Sequence, residues 1–342
     1  MKAVLVSGGK KQNDSWRARN DGMVCVLRRL SALIVLTVVF VSGTAAAATE
    51  VLVVIAQKSP TYEEALTALR TSLTGVSDRE LSLRVMSAEE FSGSGPRATD
   101  RRLPGLVITL GTDAADMVLR QNLPTPTYCT FLPQAAYIAL AGERGAKRPL
   151  ISALYLDQPF ARQLRLVRLA LPKRTRVGMV LGPDSQKHER ALRSSAVAAG
   201  IVPHVEKIND EKQLVGALHH VLDNADVLLA VPDALVFNRH TVQNVLLTTY
   251  RLGKPVVGYS RAYVTAGALL AVYSTPAQIG RQIGEELRAM QNKTGQPLPE
   301  AGYPRYFSVE VNERVARSLD IETGRAEELA RRLAGTGTED NP

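Results

Sequence analysis

The sequence predicts an α/β fold made of two doubly wound lobes in tandem, each built on a parallel sheet. Three observations predict it. Short Val/Leu/Ile runs of strand length alternate with segments whose apolar residues recur three and four apart. The runs end at polar or Gly/Pro breaks, as at Ser59-Pro60, Gly182-Pro183 and Pro232-Asp233. The alternation also restarts near residue 150, after four strands have been laid down.

The amino end stands apart from this pattern. Arg28-Arg29 precede an apolar run over residues 30–41, and the run Ala45-Ala46-Ala47-Ala48 follows. A basic flank, an apolar core too short to span a bilayer and a small-residue end predict a secretory signal peptide. Residues 1–48 are therefore expected to form an N-terminal extension and signal peptide, cleaved near Ala47 or Ala48, with Met23 as an alternative start. Export places the mature chain in the periplasm. Cys25 and the single Trp16 leave with the leader, so Cys129 is the sole mature cysteine and no intramolecular disulfide can form. Small disulfide-stapled scaffolds are thereby excluded.

The formal charge of +9 is concentrated in the leader. Residues 1–48 carry seven Lys/Arg and two Asp/Glu, which leaves 35 basic and 31 acidic side chains from Thr49 onward, a balance of +4. The remaining charge forms no concentrated basic face with interleaved aromatics, so no nucleic-acid partner is expected.

In chain order, residues 51–56 read as a buried strand by continuous branched apolar content. Residues 61–73 form a helix with Ala65, Leu66, Leu69 and Leu73 on one face. Residues 81–86 alternate as a second strand, and the Gly/Ser/Arg-rich residues 91–103 are expected to be loop. Residues 105–110 make a third strand, closed by Gly111-Thr112-Asp113, and 114–120 begin a helix. Residues 128–132 are a fourth strand, with a weaker strand signal over 135–140. Leu154-Tyr155-Leu156 then leads into a helix over 160–171. Strands over 176–181 and 202–207 flank a helix over 186–199 that ends at Gly200, a residue suited to a left-handed cap. A helix over 211–222 precedes the strand 227–231. Val242, Val245, Leu246 and Thr249 mark the next helix, followed by strands over 256–259 and 267–272. Thr275-Pro276 starts a helix to residue 290, a hydroxyl residue followed by proline being a favoured helix start. A Pro/Gly linker over 296–303, a short strand over 306–311 and a helix over 312–319 complete the fold. Residues 321–342 are expected to be a flexible tail.

The chain lacks the signatures of common chemistry. It has no G-x-x-x-x-G-K-[ST] in the mature region, no G-x-G-x-x-G between a strand and a helix, no G-x-S-x-G and no H-E-x-x-H. Adjacent His219 and His220 would point about 100° apart on a helix, a poor arrangement for chelation. Cys129 reads as a buried thiol. No enzyme activity, metal or cofactor is expected. What recurs is a polar break at the carboxyl end of successive strands: Ser59, Thr112 and Asp113, Asp184 and Ser185, Asp233, and Tyr259 and Ser260. Ligands of open α/β sheets bind at that edge. Ser59 and Thr112, at helix starts, suit an anionic group, while Asp184 or Asp233 suits a cationic one. Phe131 and Tyr259 can cover an apolar face.

On these residues the chain resembles the type I periplasmic binding proteins, and more narrowly the ABC-transporter substrate-binding family that includes aromatic amino-acid binders. The stretches that carry the resemblance are Asp226-Val-Leu-Leu-Ala-Val-Pro-Asp233, Asn238-Arg239, Leu252-Gly-Lys-Pro-Val-Val-Gly258 and Ala266-Gly-Ala-Leu269 before Thr275-Pro276. The resemblance implies a clamshell of two Rossmann-like lobes joined by three crossings. Lobe 1 would be residues 50–152 plus the helix 276–291, and lobe 2 residues 153–272 plus 305–320. It further implies a monomer that binds a small polar, amino-acid-like solute in the cleft and delivers it to the membrane permease of an ABC transporter. Typical members carry Asn-Val-Thr-Gly near the first crossing, where this chain has Ile151-Ser-Ala-Leu-Tyr-Leu156. That departure motivates a second expectation, a ligand-sensing or accessory module that reports to a receptor or an outer-membrane uptake system.

Overall fold

The computed structural model describes residues 49–74, 81–142, 150–291 and 297–335. The expected leader and cleavage site lie outside the described residues. Sheet A holds strands β1 (Thr49–Ile55), β2 (Leu81–Ser87), β3 (Leu106–Leu110), β4 (Thr127–Leu132) and β5 (Ile151–Tyr155), all parallel, in the order β2-β1-β3-β4-β5. Sheet B holds β6 (Arg176–Leu181), β7 (Val202–Lys207), β8 (Val227–Leu229), β9 (Val256–Gly258), β10 (Leu270–Tyr273) and β11 (Ser308–Val311). Its order is β11-β10-β9-β8-β6-β7, parallel except for the antiparallel β11 edge. The five parallel strands of each sheet follow one and the same winding. The order reverses beside β1 in sheet A and beside β6 in sheet B. A repeat that leaves no trace in the residues is thus complete in the topology, and it places one switch point in each lobe.

The period-2 geometry of a strand explains how each sheet supports two helical layers. On β1, Val51, Val53 and Ile55 face a layer made by α1 (Pro60–Ser72) and α10 (Pro276–Gln291), through Leu66, Leu69, Ile279, Ile283 and Leu287. Leu52 and Val54 face the opposite layer, with Phe91 of α2 (Ala88–Ser94) and Ala114 and Val118 of α3 (Thr112–Arg120). A further helix, α4 (Gln134–Gly142), follows β4. In lobe 2, α5 (Phe160–Ala170) and α6 (Glu189–Ala198) cover one face of sheet B. Helices α7 (Leu214–Asn224) and α8 (Val242–Arg251) cover the other. A short α9 (Arg261–Ala266) ends at Gly267, whose φ of 127° suits a residue without Cβ.

Besides β5 and α9, which the sequence reading did not expect, the structure departs from that reading at four places. The segment expected to be loop from residue 91 is the end of α2. Its start is fixed by a capping box in which the Glu90 N–H donates to Ser87 Oγ at 3.1 Å and the Ser87 N–H donates to Glu90 Oε2 at 2.7 Å. The strand expected over 135–140 is α4. The lobe boundary expected after residue 152 falls inside β5, which pairs with β4 through Tyr155, so the first crossing begins at Leu156. α11 (Glu313–Ser318) falls where a helix was expected, but the tail expected to be flexible from residue 321 holds a further helix, α12 (Ala326–Gly335), whose Leu329 and Leu333 are buried against the sheet B core. Two leucines four apart make an apolar stripe that needs a surface to cover it.

Three connections join the lobes, at 156–159, at 274–275, and at the end of the 297–307 segment. They are tied to one another. Gln158 Nε2 donates to Ser274 Oγ at 2.9 Å, and the Ser274 hydroxyl donates to the Tyr306 carbonyl at 2.6 Å. Arg162 Nη1 donates to Gln158 Oε1 at 2.7 Å and to the Pro304 carbonyl at 2.9 Å. The guanidinium also lies 4.5 Å from the centroid of the Phe307 ring. Gln158, Arg162 and Ser274 are all buried. Among the described residues no helix is long and apolar enough to cross a membrane.

Candidate functional site

A cavity of about 270 Å³ opens where the crossings meet the carboxyl ends of both sheets. The lobe 1 wall is the turn Pro133-Gln134-Ala135 after β4. A register shift between Thr130 and Leu132 precedes it, and Phe131 sits there at φ 56°, a region that costs a bulky residue energy. The floor is crossing residues Leu156, Asp157 and Gln158, with Tyr273, Ser274 and Tyr303. The lobe 2 wall brings Asp184 and His188 from beyond β6, Val231 and Pro232 from beyond β8, and Tyr259 and Ser260 from beyond β9. β6 and β8 flank the switch point of sheet B, so the cavity lies where the winding alone directs a ligand.

Three side chains set its chemistry. Asp157 Oδ2 accepts from the Gln134 N–H at 2.5 Å, which spends the donor at the start of α4 on the protein's own carboxylate. No Lys or Arg pairs with Asp157 among the described residues, and burial pushes its carboxyl above the usual carboxylate range. Gln163 is almost wholly buried; its Nε2 donates to the Gln158 carbonyl at 2.9 Å, while its Oε1 has no partner among the described residues. The bond to a carbonyl fixes which end of the amide is which, so the open position is an acceptor. Tyr259 stands 2.9 Å, oxygen to oxygen, from Tyr263. Tyr263 spends its single proton on the Phe237 carbonyl at 3.2 Å, so Tyr259 donates to Tyr263 and keeps its lone pairs for a donor.

Aromatic rings line both sides. The Tyr303 hydroxyl donates to Gln134 Oε1 at 3.0 Å, and its ring packs at 5.3 Å on Tyr155. Burial first, and then the Asp157 charge, pushes the Tyr303 phenol up to about 12, so it remains a donor. Phe160 lies 5.6 Å from the His188 ring. Burial, with the Lys187 charge second, lowers the His188 pKa below its ordinary 6.5, which leaves the ring neutral at pH 7.

Of the residues singled out in the sequence, Asp184, Tyr259 and Ser260 line this cavity. Ser260 is the N-cap residue of α9 but makes no capping bond with its side chain. The others lie outside the cavity lining. Ser59 caps α1, its Oγ accepting from the Tyr62 N–H at 3.4 Å. Thr112 and Asp113 are exposed in the first turn of α3. Phe131 turns into lobe 1 and meets Tyr62 edge-on at 5.5 Å. Ser185 and Asp233 are buried together. Asp233 Oδ2 accepts from the Asp184 N–H, the Ser185 N–H and the Ser185 hydroxyl at 3.1, 2.9 and 2.8 Å. Its Oδ1 accepts from the Leu235 and Val236 N–H groups at 2.9 and 3.3 Å. A carboxylate with five donors from its own lobe has little left for a ligand. It is a clamp that holds the turn after β6 against the turn after β8.

Asp157, Gln163, His188 and Tyr303 escaped the sequence reading. Asp157 obeys the rule that located the others, a polar residue just beyond a strand, but Leu154-Tyr155-Leu156 was short enough to pass as a lead-in to the next helix. Tyr303, in a Pro/Gly linker, carries no local signal. Cys129 is buried, and burial pushes its thiol up to about 12. Among the described residues no group of three or more His, Cys, Asp or Glu is placed to hold a metal ion.

No protein-family model matches the sequence, and no curated protein matches it. Solved structures do. A substrate binding protein with adhesive properties from Clostridium difficile, in its ligand-free, open form, superposes with a TM-score of 0.65 at 17% identity, over 82% of this chain and 97% of that one. An ABC domain in complex with L-Trp from Streptococcus pneumonia gives 0.56 at 14% identity, over 83% and 99%. A periplasmic ribose ABC transporter protein from Conexibacter woesei gives 0.50 at 15%, over 84% and 99%. At such identities the likeness is one of fold, and the fold is that of the type I periplasmic solute-binding proteins.

Proposed function

We propose that the chain is an exported solute-binding protein of an ABC-type uptake system. It captures a small polar solute between its lobes and presents the closed form to a membrane permease. The observation that carries this reading is the position of the cavity: the switch point of sheet B, the turn after β4 and the three bonded crossings converge on it. A solute held there touches both lobes at once, so it favours the closed arrangement by contacts that an open one lacks. Among the described residues that line the cavity none pairs a nucleophile with an activated base, which favours capture over turnover. Ser59, Thr112 and Asp113 stand at the carboxyl edge of sheet A and would add contacts as the lobes approach.

Native mass spectrometry of the protein recovered from the periplasm tests this directly. The expected result is a monomer beginning near Thr49 that carries a small-molecule cargo, and amino-acid-like solutes are the first to assay by calorimetry once the cargo is removed. A protein that stays in the cytoplasm, and neither carries nor binds any small solute, sinks the reading.

A further inference from the structure

The cavity is built from acceptors. Among the described residues, Asp157 brings a carboxylate whose bond from another residue comes from the Gln134 N–H alone, and Gln163 brings a buried amide oxygen with no partner. The Tyr259 oxygen has lone pairs to offer, and Asp184 adds a second carboxylate on the opposite wall. Among the described residues that line the space none is Lys or Arg, and His188 is neutral. A half-buried carboxylate and an unpaired buried amide oxygen both carry a desolvation cost that only a donor, and best a cationic one, offsets. The rings of Phe160, Tyr259 and Tyr303 offer π faces that attract the same charge. A carboxylate on the ligand finds the reverse: two like charges, and a helix-start N–H at Gln134 already taken.

We therefore propose that this cavity selects an organic cation, an ammonium group on a small aromatic or apolar body without a carboxylate, seated with its N–H donors on Asp157 and Gln163. This rests on the solute-binding reading and narrows it from amino acids to amines. Three probes of one skeleton separate the charges: tyramine, tyrosine and 4-hydroxyphenylacetate, titrated calorimetrically into the cargo-free protein. Tyramine is expected to bind at least about tenfold more tightly than tyrosine, and the acid not at all. In Asp157→Asn the tyramine affinity falls by at least about tenfold, while Glu64→Gln, an exposed charge on α1, leaves it unchanged. The probe series uses the unmodified chain, so it decides the matter even if a variant fails to fold. Tyrosine or the acid binding as tightly as tyramine overturns the cation inference and leaves the solute-binding reading standing. So does a co-purified cargo that lacks an ammonium group. No binding of any probe together with no cargo overturns both.

Discussion

Asp157 and Asp233 each stand just beyond the carboxyl end of a strand, yet the structure gives them opposite work. Asp233 has five donors, and Gly182 makes its approach possible, since a Cβ there would lie 2.2 Å from Asp233 Oδ1. Asp233→Ala strips the acceptor from buried N–H groups in two turns and should cost about 3 kcal/mol of unfolding free energy, measured by urea titration. A loss below about 1 kcal/mol would show that the clamp is idle. Asp157 is the reverse case. Its folded pKa is raised above the ordinary 3.8 by burial, only partly countered by the Gln134 N–H. The folded state therefore holds the proton better than the unfolded one, and stability falls as pH rises from the unfolded value through the folded one. At neutral pH the ionised group is a cost. Asp157→Asn keeps an oxygen for the Gln134 N–H and removes the charge, so the ligand-free variant should melt about 2 °C higher at pH 7. The gain should shrink as the pH is lowered toward 4. A variant that melts lower at pH 7 means the carboxylate serves the fold. The sequence singles out Asp233 for a ligand and passes over Asp157, because it shows where a carboxylate falls along the chain but not how many donors converge on it.

At the scale of elements, the packing of α10 on α1 shows what lets a helix late in the chain return to the first lobe. Gly280 and Gly284, four apart, lie on the contacting face of α10. A Cβ at Gly280 would come within 2.0 Å of the Ala65 carbonyl oxygen, and one at Gly284 within 2.6 Å of Ser72 Cβ. Backbone cannot step aside as a side-chain tip can, so Gly280→Ala should force the helices apart and cost about 2 kcal/mol, read from the denaturation midpoint. An unchanged midpoint would mean the contact is loose. Helix propensity alone predicts the opposite sign, since alanine favours a helix over glycine by about 1 kcal/mol, so the experiment has a clear direction. Most elements were legible in the sequence for the reason that buried parallel strands are: their Val/Leu/Ile runs are continuous and their ends carry breakers. The misses also have causes. α2 was hidden by Gly93, Ser94 and Gly95 at its end, although Ser87 and Glu90 spelled its capping box. α12 was hidden by its charge, although Leu329 and Leu333 marked its buried stripe. The register of β5 with β4 is a tertiary fact with no local trace, and with it went the view of Asp157 as a strand-end residue.

For the whole molecule, the decisive feature is that three separate crossings form one bonded block. Gln158 of the first, Ser274 of the second and the Pro304 and Tyr306 carbonyls of the third share a chain of hydrogen bonds, with Arg162 as its anchor. In the proposed solute-binding reading, such a block would let the two lobes swing about a fixed axis instead of drifting along three loose strands. Because Asp157 is the neighbour of Gln158, the same block sets where the cavity's carboxylate stands. Arg162 itself does not line the cavity. Arg162→Met keeps the apolar contact with Phe307 but leaves Gln158 Oε1 without its donor and the Pro304 carbonyl short of one. It should lower the unfolding free energy by about 3 kcal/mol, the usual scale for breaking a buried charged contact. It should also weaken solute binding by about fivefold, equivalent to about 1 kcal/mol, without removing a ligand contact. Small-angle scattering with and without saturating solute separates the two effects: the variant should still compact, but from a broader ligand-free ensemble. If it loses stability yet binds with wild-type affinity and an unchanged ligand-free profile, the block holds the fold together but does not govern how the lobes close.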